Sequence, residues 1–376
     1  SKELAEMAYE RFSPNSKALI TKVECKKTFQ QTPLLYDLTT LQKDCNIYHN
    51  LTAERTLSVA QSLYEKKYIS YPRTGSRYIP HDMMDQVRQS LCVIATMPEV
   101  NEYGNSIDFS KLNMRSVDNS KITDHHALVI TGIEPRNLDI LEQTVYTMIA
   151  GRMLEAFSPK CEKETLVLEA TAEEMKFRSS STSIVNPGWR SVFSRKEDAE
   201  KDETEANKGT ACFSENECIP VTGRGIVQRS TKPKPLFTEA TLLSAMETCG
   251  KNITDEKAKE AIKDQGIGTP ATRAAIITTL FQRNYIERIE KSLVPTDKGL
   301  YIYEAVKDMQ IANVDLTGIW EKTLMQIEQR TLDHRTFMHS IESFTANATR
   351  EVLGLKFDIP EPKSFPCPKC YKGKVT

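Results

Sequence analysis

Two stretches far apart in this chain repeat one another, so any fold for it must build the same local unit twice. TAERTLSVAQSLYEKKYI spans residues 52 to 69, and TPATRAAIITTLFQRNYI spans residues 269 to 286. Both open on threonine, and Leu63, Tyr68 and Ile69 fall opposite Leu280, Tyr285 and Ile286. An aromatic follows each aligned leucine, Tyr64 in one and Phe281 in the other. Leu57, Ala60, Leu63 and Tyr64 share one helical face, as do Ile277, Leu280 and Phe281. Each copy therefore predicts an amphipathic helix that hands over to an extended Tyr-Ile. After the second copy, ERIEKSLVPTDKG reads as a short hairpin turning at Glu290 to Ser292, which gives a helix plus wing. Winged-helix units set such a helix against nucleic acid. A packed helix that merely ends in an aromatic would show the same pattern.

Around the repeat, β character is split in two. KALITKVECKKT, residues 17 to 28, alternates as a strand does, and ETLVLEATAEEMKFRSSSTSIV, residues 164 to 185, has short β-branched runs. SRKEDAEKDETEANKGT, residues 194 to 210, is polar and nearly free of apolar residues, which predicts an exposed linker. ECIPVTGRGIVQRSTKPKPLF then continues the β-like pattern. These pieces predict one β-rich module with helical segments inserted or appended. At 376 residues the chain has room for two or three compact units.

Hydrophobic residues make up 39% and charged residues 27%, an ordinary globular balance, and no apolar run is long enough to cross a bilayer. SKELAEMAYERFSP at the start lacks a secretory signal core, so a cytoplasmic home is expected. With 50 basic against 51 acidic residues, bulk charge gives no support for nucleic-acid binding, and any such site must be local. The 9 cysteines are scattered and odd in number, which argues for reduced thiols. Cys367 and Cys370, in CPKC, have the spacing of half a tetrahedral zinc site, and either a stray turn or a zinc module cut short would leave that pair.

Three short segments carry candidate chemistry. In YISYPRTGSRYIP, residues 68 to 80, Tyr71 and Arg73 stand two apart in an extended segment, so both side chains project to one side. A phenol, with a pKa of about 10 in water, becomes a covalent nucleophile if it loses its proton as it attacks. An adjacent guanidinium eases that loss and, in phosphoryl transfer, steadies charge on the nonbridging oxygens. Thr74 and Ser76 add hydroxyls, and Arg77 adds charge. Tyr-x-Arg alone is common on surfaces. In TDHHALVITG, residues 123 to 132, one histidine is expected to function and the other to be structural, because adjacent residues point apart. In GIGTPATR, residues 266 to 273, glycines permit close backbone approach and Pro270 opens a helix whose free N–H groups could seat a phosphate. A plain helix cap after a tight turn reads equally well there.

Together YISYPRTGSRYIP, DHHALVIT, LFTEATLLSAME and GIGTPATRAAIITTLFQRNYI resemble the type IA DNA topoisomerases, most of all the bacterial topoisomerase III group, over nearly the whole chain. The resemblance implies that Tyr71 attacks a DNA phosphodiester to form a 5′-phosphotyrosine link, that Arg73 stabilises the phosphate and that His125 assists. It implies that Thr74, Arg77, Gly268, Thr269, Thr272 and Arg273 help bind single-stranded DNA, with RNA a further candidate. It also implies a mixed α and β, multidomain fold. A β-rich arch module would comprise residues 1–32 and 160–235, with an inserted helical domain at 33–159 bearing the tyrosine. A helical DNA-binding domain with a winged-helix-like element would occupy 236–360, and 361–376 would start a truncated zinc ribbon.

The family also has a TOPRIM domain with an acid–base glutamate and an Asp-x-Asp cluster for Mg2+, and no part of this chain matches it. The implied chain is a bacterial, monomeric fragment that binds DNA but cleaves it poorly, with Mg2+ supplied through TOPRIM and Zn2+ through the longer protein. Gly75 stands where the family often has an acid. A relaxase would need a metal-binding histidine cluster, and a tyrosine recombinase a late tyrosine among dispersed arginines. A non-catalytic winged-helix protein would explain the repeat but not YPRT and DHH together.

Overall fold

The computed structural model describes residues 2–12, 16–104, 108–122, 124–193, 213–249, 266–355, 365–366 and 374–375. The expected linker at 194–210 and the Cys367–Cys370 pair lie outside the described residues. The chain divides into two compact units, Ser1–Pro235 and Leu236–Thr376.

In the first unit α1 (Lys2–Glu10) and β1 (Lys17–Gln30) precede α2 (Leu38–His49), α3 (Ala53–Glu65), α4 (Met84–Ala95), the short α5 (Asn101–Gly104) and α6 (Ile140–Phe157). Then follow β2 (Cys161–Ala172), β3 (Met175–Asn186) and β4 (Cys218–Pro220). The strands form one antiparallel sheet in the order β3-β2-β1-β4. Gln30, where β1 ends, lies opposite Cys161, where β2 begins, so the helical residues leave the sheet and return at one place. The β2–β3 turn puts Glu173 and Glu174 at φ 47° and 62°, the pair of positive φ values that matches the twist of a tight hairpin.

The core of this unit sits among the helices and not on the sheet. α6 is its axis: Asp139 caps its first turn, Glu142 completes the capping box, and α2, α3 and α4 pack on it. Val145, Ile149, Met153, Leu154 and Phe157 are all buried there with Leu41, Leu63 and Leu91. Each such side chain contributes roughly 1.5–3 kcal/mol through loss of apolar surface to water. By contrast, most of β1 beyond Thr21 is exposed.

One expectation fails here. Within the ECIPVTGRGIVQRSTKPKPLF stretch only Cys218–Pro220 pairs as a strand, and residues 221–238 form no regular element. Gly223 and Gly225 favour irregular backbone, and Pro233 and Pro235 lack the N–H a ladder needs. Arg224 instead donates to the carbonyls of Tyr9 and Phe12 and lies over the Tyr9 ring.

The second unit comprises α7 (Glu239–Thr248), α8 (Pro270–Gln282), β5 (Ile286–Ile289), β6 (Ser292–Pro295), α9 (Asp297–Val306), α10 (Val314–Glu328) and α11 (His334–Leu353). Two short paired strands, β7 (Phe365–Pro366) and β8 (Lys374–Val375), follow. β5 and β6 make the expected hairpin, tightened to the two-residue turn Glu290–Lys291 with Glu290 at φ 54°. Buried Glu239 pairs with Arg288 of the hairpin, and the Leu293 N–H donates to the Phe237 carbonyl. Among the described residues no helix is long and apolar enough to cross a membrane.

Candidate active site

The helix that leads to Tyr71 is stopped by its own backbone. At the end of α3 Lys67 turns left-handed at φ 64°, the Tyr68 N–H reaches back to the Leu63 carbonyl at 2.9 Å, and the Lys67 N–H to Tyr64 at 2.8 Å. This Schellman arrangement satisfies the last helical carbonyls and aims the chain outward. Residues 68–70 then run antiparallel to 129–131. Ile69 bridges Ile130, the Ser70 N–H donates to the Val129 carbonyl at 2.9 Å, and the Thr131 N–H donates to Tyr68 at 3.0 Å. The Ser70 hydroxyl donates to the Ala127 carbonyl and accepts from the Val129 N–H. Tyr71 is thus carried on a short ladder whose other rail begins just after His125.

The rings of Tyr71 and His125 lie 4.7 Å apart at a tilt of 54°. Tyr64, on the last turn of α3, meets Tyr71 edge-on at 5.5 Å. Tyr71 is half-buried, and Arg73 and His125 are exposed. Arg73 makes no hydrogen bond or ion pair among the described residues, so its guanidinium is available to an anion. In His126, the residue after His125, Nδ1 lies 2.8 Å from the Ala127 carbonyl. The two histidine rings therefore face different groups, His125 the phenol and His126 the backbone.

The hydroxyls and the second arginine of this loop are turned to the frame. Thr74 is 1% exposed, and its hydroxyl donates to the His125 carbonyl at 3.1 Å and accepts from the Ser76 N–H. That bond joins the tyrosine loop directly to the histidine. Ser76 is buried as well and donates to the Lys121 carbonyl at 3.3 Å. Arg77 is half-buried and donates from Nε to the Leu35 carbonyl at 3.2 Å. Lys121 sits over the Tyr78 ring at 5.0 Å, and its partner Asp118 is held down to about 2 by the Ser120 hydroxyl and Lys121.

In the second unit the GIGTPATR segment builds a rigid helix start. Gly266 and Gly268 adopt φ +68° and +67°. A Cβ at Gly266 would fall 2.3 Å from the Met246 carbonyl, so that position requires glycine. The Thr269 N–H donates to the Thr272 hydroxyl at 2.9 Å, and the two exposed hydroxyls lie 3.2 Å apart. Arg273 is only 2% exposed and donates from Nε to the Ile267 carbonyl at 3.2 Å, inward to the loop. Sequence reasoning placed Tyr64 only on a helical face and gave no role to Ser70. For Tyr64 the available signal was its position in the last helical turn before the loop. For Ser70 it was a hydroxyl directly preceding Tyr71.

A mixed α and β frame that presents a tyrosine beside a histidine and an exposed arginine defines a candidate tyrosine-nucleophile protein. The DNA topoisomerase family model matches residues 1–339, and the chain belongs to that family, as a type IA member. It is 32% identical over 360 residues to the DNA topoisomerase 3 of Staphylococcus saprophyticus, covering 93% of this chain and 49% of that one. It is 28% identical to the DNA topoisomerase 3 of Haemophilus influenzae, over 97% of this chain and 57% of that one. The chain spans about half the length of these curated relatives. The full-length topoisomerase I of Thermotoga maritima shares the fold, with a TM-score of 0.66 at 20% identity over 93% of this chain and 55% of that one.

Proposed function

We propose that this chain carries the strand-cleaving tyrosine of a type IA topoisomerase and binds single-stranded DNA around it. The observation that supports this most is the Tyr71 ring against His125 at 4.7 Å, with an exposed arginine two residues on. The Tyr71 oxygen would form a bond to a backbone phosphorus as the bond from phosphorus to the 3′ oxygen breaks. The phenolic proton leaves, the 3′ oxygen gains one, and the strand end stays linked as a 5′ phosphotyrosine. Arg73 would hold the nonbridging oxygens while charge accumulates on them. His125, whose ring lies against the phenol, would accept the phenolic proton or pair with the phosphate. Because the ester retains the energy of the broken bond, religation needs no nucleotide, and a second strand could pass in the interval.

Thr74 and Arg77 would serve by fixing the loop, and the exposed Thr269 and Thr272 hydroxyls with the N–H groups at the start of α8 would receive a backbone phosphate. Among the described residues no group of three or more His, Cys, Asp and Glu side chains could hold a metal, so no step is assigned to magnesium. We place the proton donor for the 3′ oxygen and the magnesium ligands outside these residues, which makes the isolated chain a binder with little cleavage. RNA as a second substrate, a monomeric state and a bacterial cytoplasmic setting are parts of the same reading.

Covalent capture tests it. The chain is incubated with a 3′-labelled single-stranded oligonucleotide and magnesium, denatured and examined for labelled protein, with Tyr71→Phe alongside. Binding without adduct is the expected result for the isolated chain. A Tyr71-dependent adduct would keep the nucleophile and overturn the need for an outside acid, whereas absence of both binding and adduct would overturn the DNA reading.

A further inference from the structure

The tyrosine loop and the histidine rail both rest on the segment that runs from Thr32 to Leu38, the first residue of α2. The Leu38 N–H donates to the Thr74 carbonyl at 3.1 Å, and Arg77 donates to the Leu35 carbonyl. On the other side, Tyr36 bridges Leu128, whose N–H donates to the Tyr36 carbonyl at 2.8 Å. A displacement of this segment would move Thr74 and Leu128 together or pull them apart, and with them Tyr71 and His125.

What holds the segment is a buried ionic cluster remote from the exposed face. Arg152, on α6 and 6% exposed, donates from Nη2 to Asp44 at 2.7 Å and from Nε to Glu155 at 2.8 Å. Its third arm reaches the Leu34 carbonyl at 3.4 Å. The guanidinium lies 4.1 Å over the ring of Tyr36, which is fully buried and donates its hydroxyl to Asp44 at 2.7 Å. Burial lowers the arginine's pKa, but the Tyr36, Glu155 and Asp44 groups around it more than offset that and leave it above its ordinary value. Burial also pushes the Tyr36 phenol well above its ordinary value, so it remains a donor. A buried guanidinium with two carboxylates is weak support for stability as such, since well-packed apolar groups often serve as well. A planar fork that fixes several partners at set angles is better suited to holding register.

We propose that Arg152, with Asp44 and Tyr36, is a positioning cluster that sets the spacing between Tyr71 and His125 through the Thr32–Leu38 segment. None of these side chains touches the reacting atoms. The inference rests on the proposed use of Tyr71 as nucleophile, but the geometric part can be measured without DNA.

The test uses the full chain with 3-fluorotyrosine placed at position 71. In the wild type, ring currents from His125 and Tyr64 displace its fluorine resonance from the unfolded value. Asp44→Asn and Arg152→Lys are each studied below their own unfolding transition. Both are expected to lose more than half of that displacement, and Tyr36→Phe, which removes one hydroxyl bond, a smaller part. A fluorotyrosine at position 285 is expected to be unmoved. A purely structural role would lower the unfolding temperature and leave the position-71 resonance in place. Full displacement retained in folded Arg152→Lys and Tyr36→Phe overturns the proposal even if Asp44→Asn fails to fold. Adding a single-stranded oligonucleotide gives the second arm. If it leaves the wild-type resonance unmoved, the DNA reading fails, while the DNA-free spectra still decide the positioning claim.

Discussion

The two repeat copies use the same bonds to different ends. In the second, Asn284 turns left-handed at φ 55° where Lys67 does in the first, and the Tyr285 N–H reaches the Leu280 carbonyl at 2.9 Å as Tyr68 reaches Leu63. The Thr296 N–H donates to Tyr285 at 3.0 Å, as Thr131 does to Tyr68, and both threonine hydroxyls reach back to the left-handed residue's carbonyl. The copies diverge in what joins the two rails. In the second the join is Glu290–Lys291, and in the first it is everything from Tyr71 to Leu128, including YPRT and His125. The second hairpin is largely exposed, with Ile289 at 55%, whereas Ile69 and Ile130 are each at 1%. A unit that forms an exposed hairpin in one place is, in the other, opened and sunk into a core. That burial gives the long loop bearing Tyr71 a fixed footing.

The largest effect should come from that difference in footing. Ile69→Ala is expected to cost about 2–5 kcal/mol of the first unit's stability through lost burial and a cavity. Ile286→Ala, at the matching but half-buried place, should cost no more than about half of that. Urea unfolding of both variants, with a probe in each unit, measures it. Equal losses would break the contrast between a sunk and an exposed copy.

A second difference lies at the helix ends and depends on pH. Lys66, which closes α3, pairs with buried Glu142, which also accepts from Ser62 at 2.7 Å. Arg283, at the matching place, is exposed with no carboxylate partner among the described residues. Lys66 holds the Glu142 carboxyl below its ordinary value of 4.5 despite the opposing effect of burial. A depressed folded pKa contributes stability above the unfolded value and loses it as pH falls through the folded one. Glu142→Gln should therefore cost about 1–3 kcal/mol at neutral pH, and the gap to the wild type should close as pH drops below 4.5. A gap that stays constant through the acid range would remove the ion pair from the account.

How much of this could be read beforehand follows from the range of the forces involved. Local signals were legible: Thr52 and Thr269 each stand at a helix start, and the hairpin after Ile286 forms where the alternation placed it. Tyr71, Arg73 and His125 could be named as candidates from the sequence, and the family resemblance implied roles for them. The contact between Tyr71 and His125 was not, because it depends on the Ser70 and Thr74 hydroxyls bonding to partners 57 and 51 residues away. Arg273 looked like a DNA contact because an arginine at a helix start suits phosphate, but its Nε is turned inward to the loop it closes. The Arg152 cluster left no local trace either, since Asp44 and Tyr36 reach it from another part of the chain.

The smallest expected effect concerns the left-handed residues themselves. Neither is glycine, which is why the matching helix stops were hard to see in the sequence. A side chain other than glycine costs about 1–2 kcal/mol in this conformation, less for asparagine, whose short amide bonds locally. Glycine recovers that strain but gives back about 0.4–1 kcal/mol by loosening the unfolded chain. Lys67→Gly should therefore stabilise the first unit by about 0.5 kcal/mol, and Asn284→Gly should leave the second nearly unchanged. Matched urea unfolding of the two variants resolves the pair. If Lys67→Gly instead destabilises, the lysine is favoured there by something other than backbone geometry. Its position four residues before Tyr71 would then make the side chain, not the turn, the feature that separates the copy leading into Tyr71 from the copy that closes in a two-residue turn.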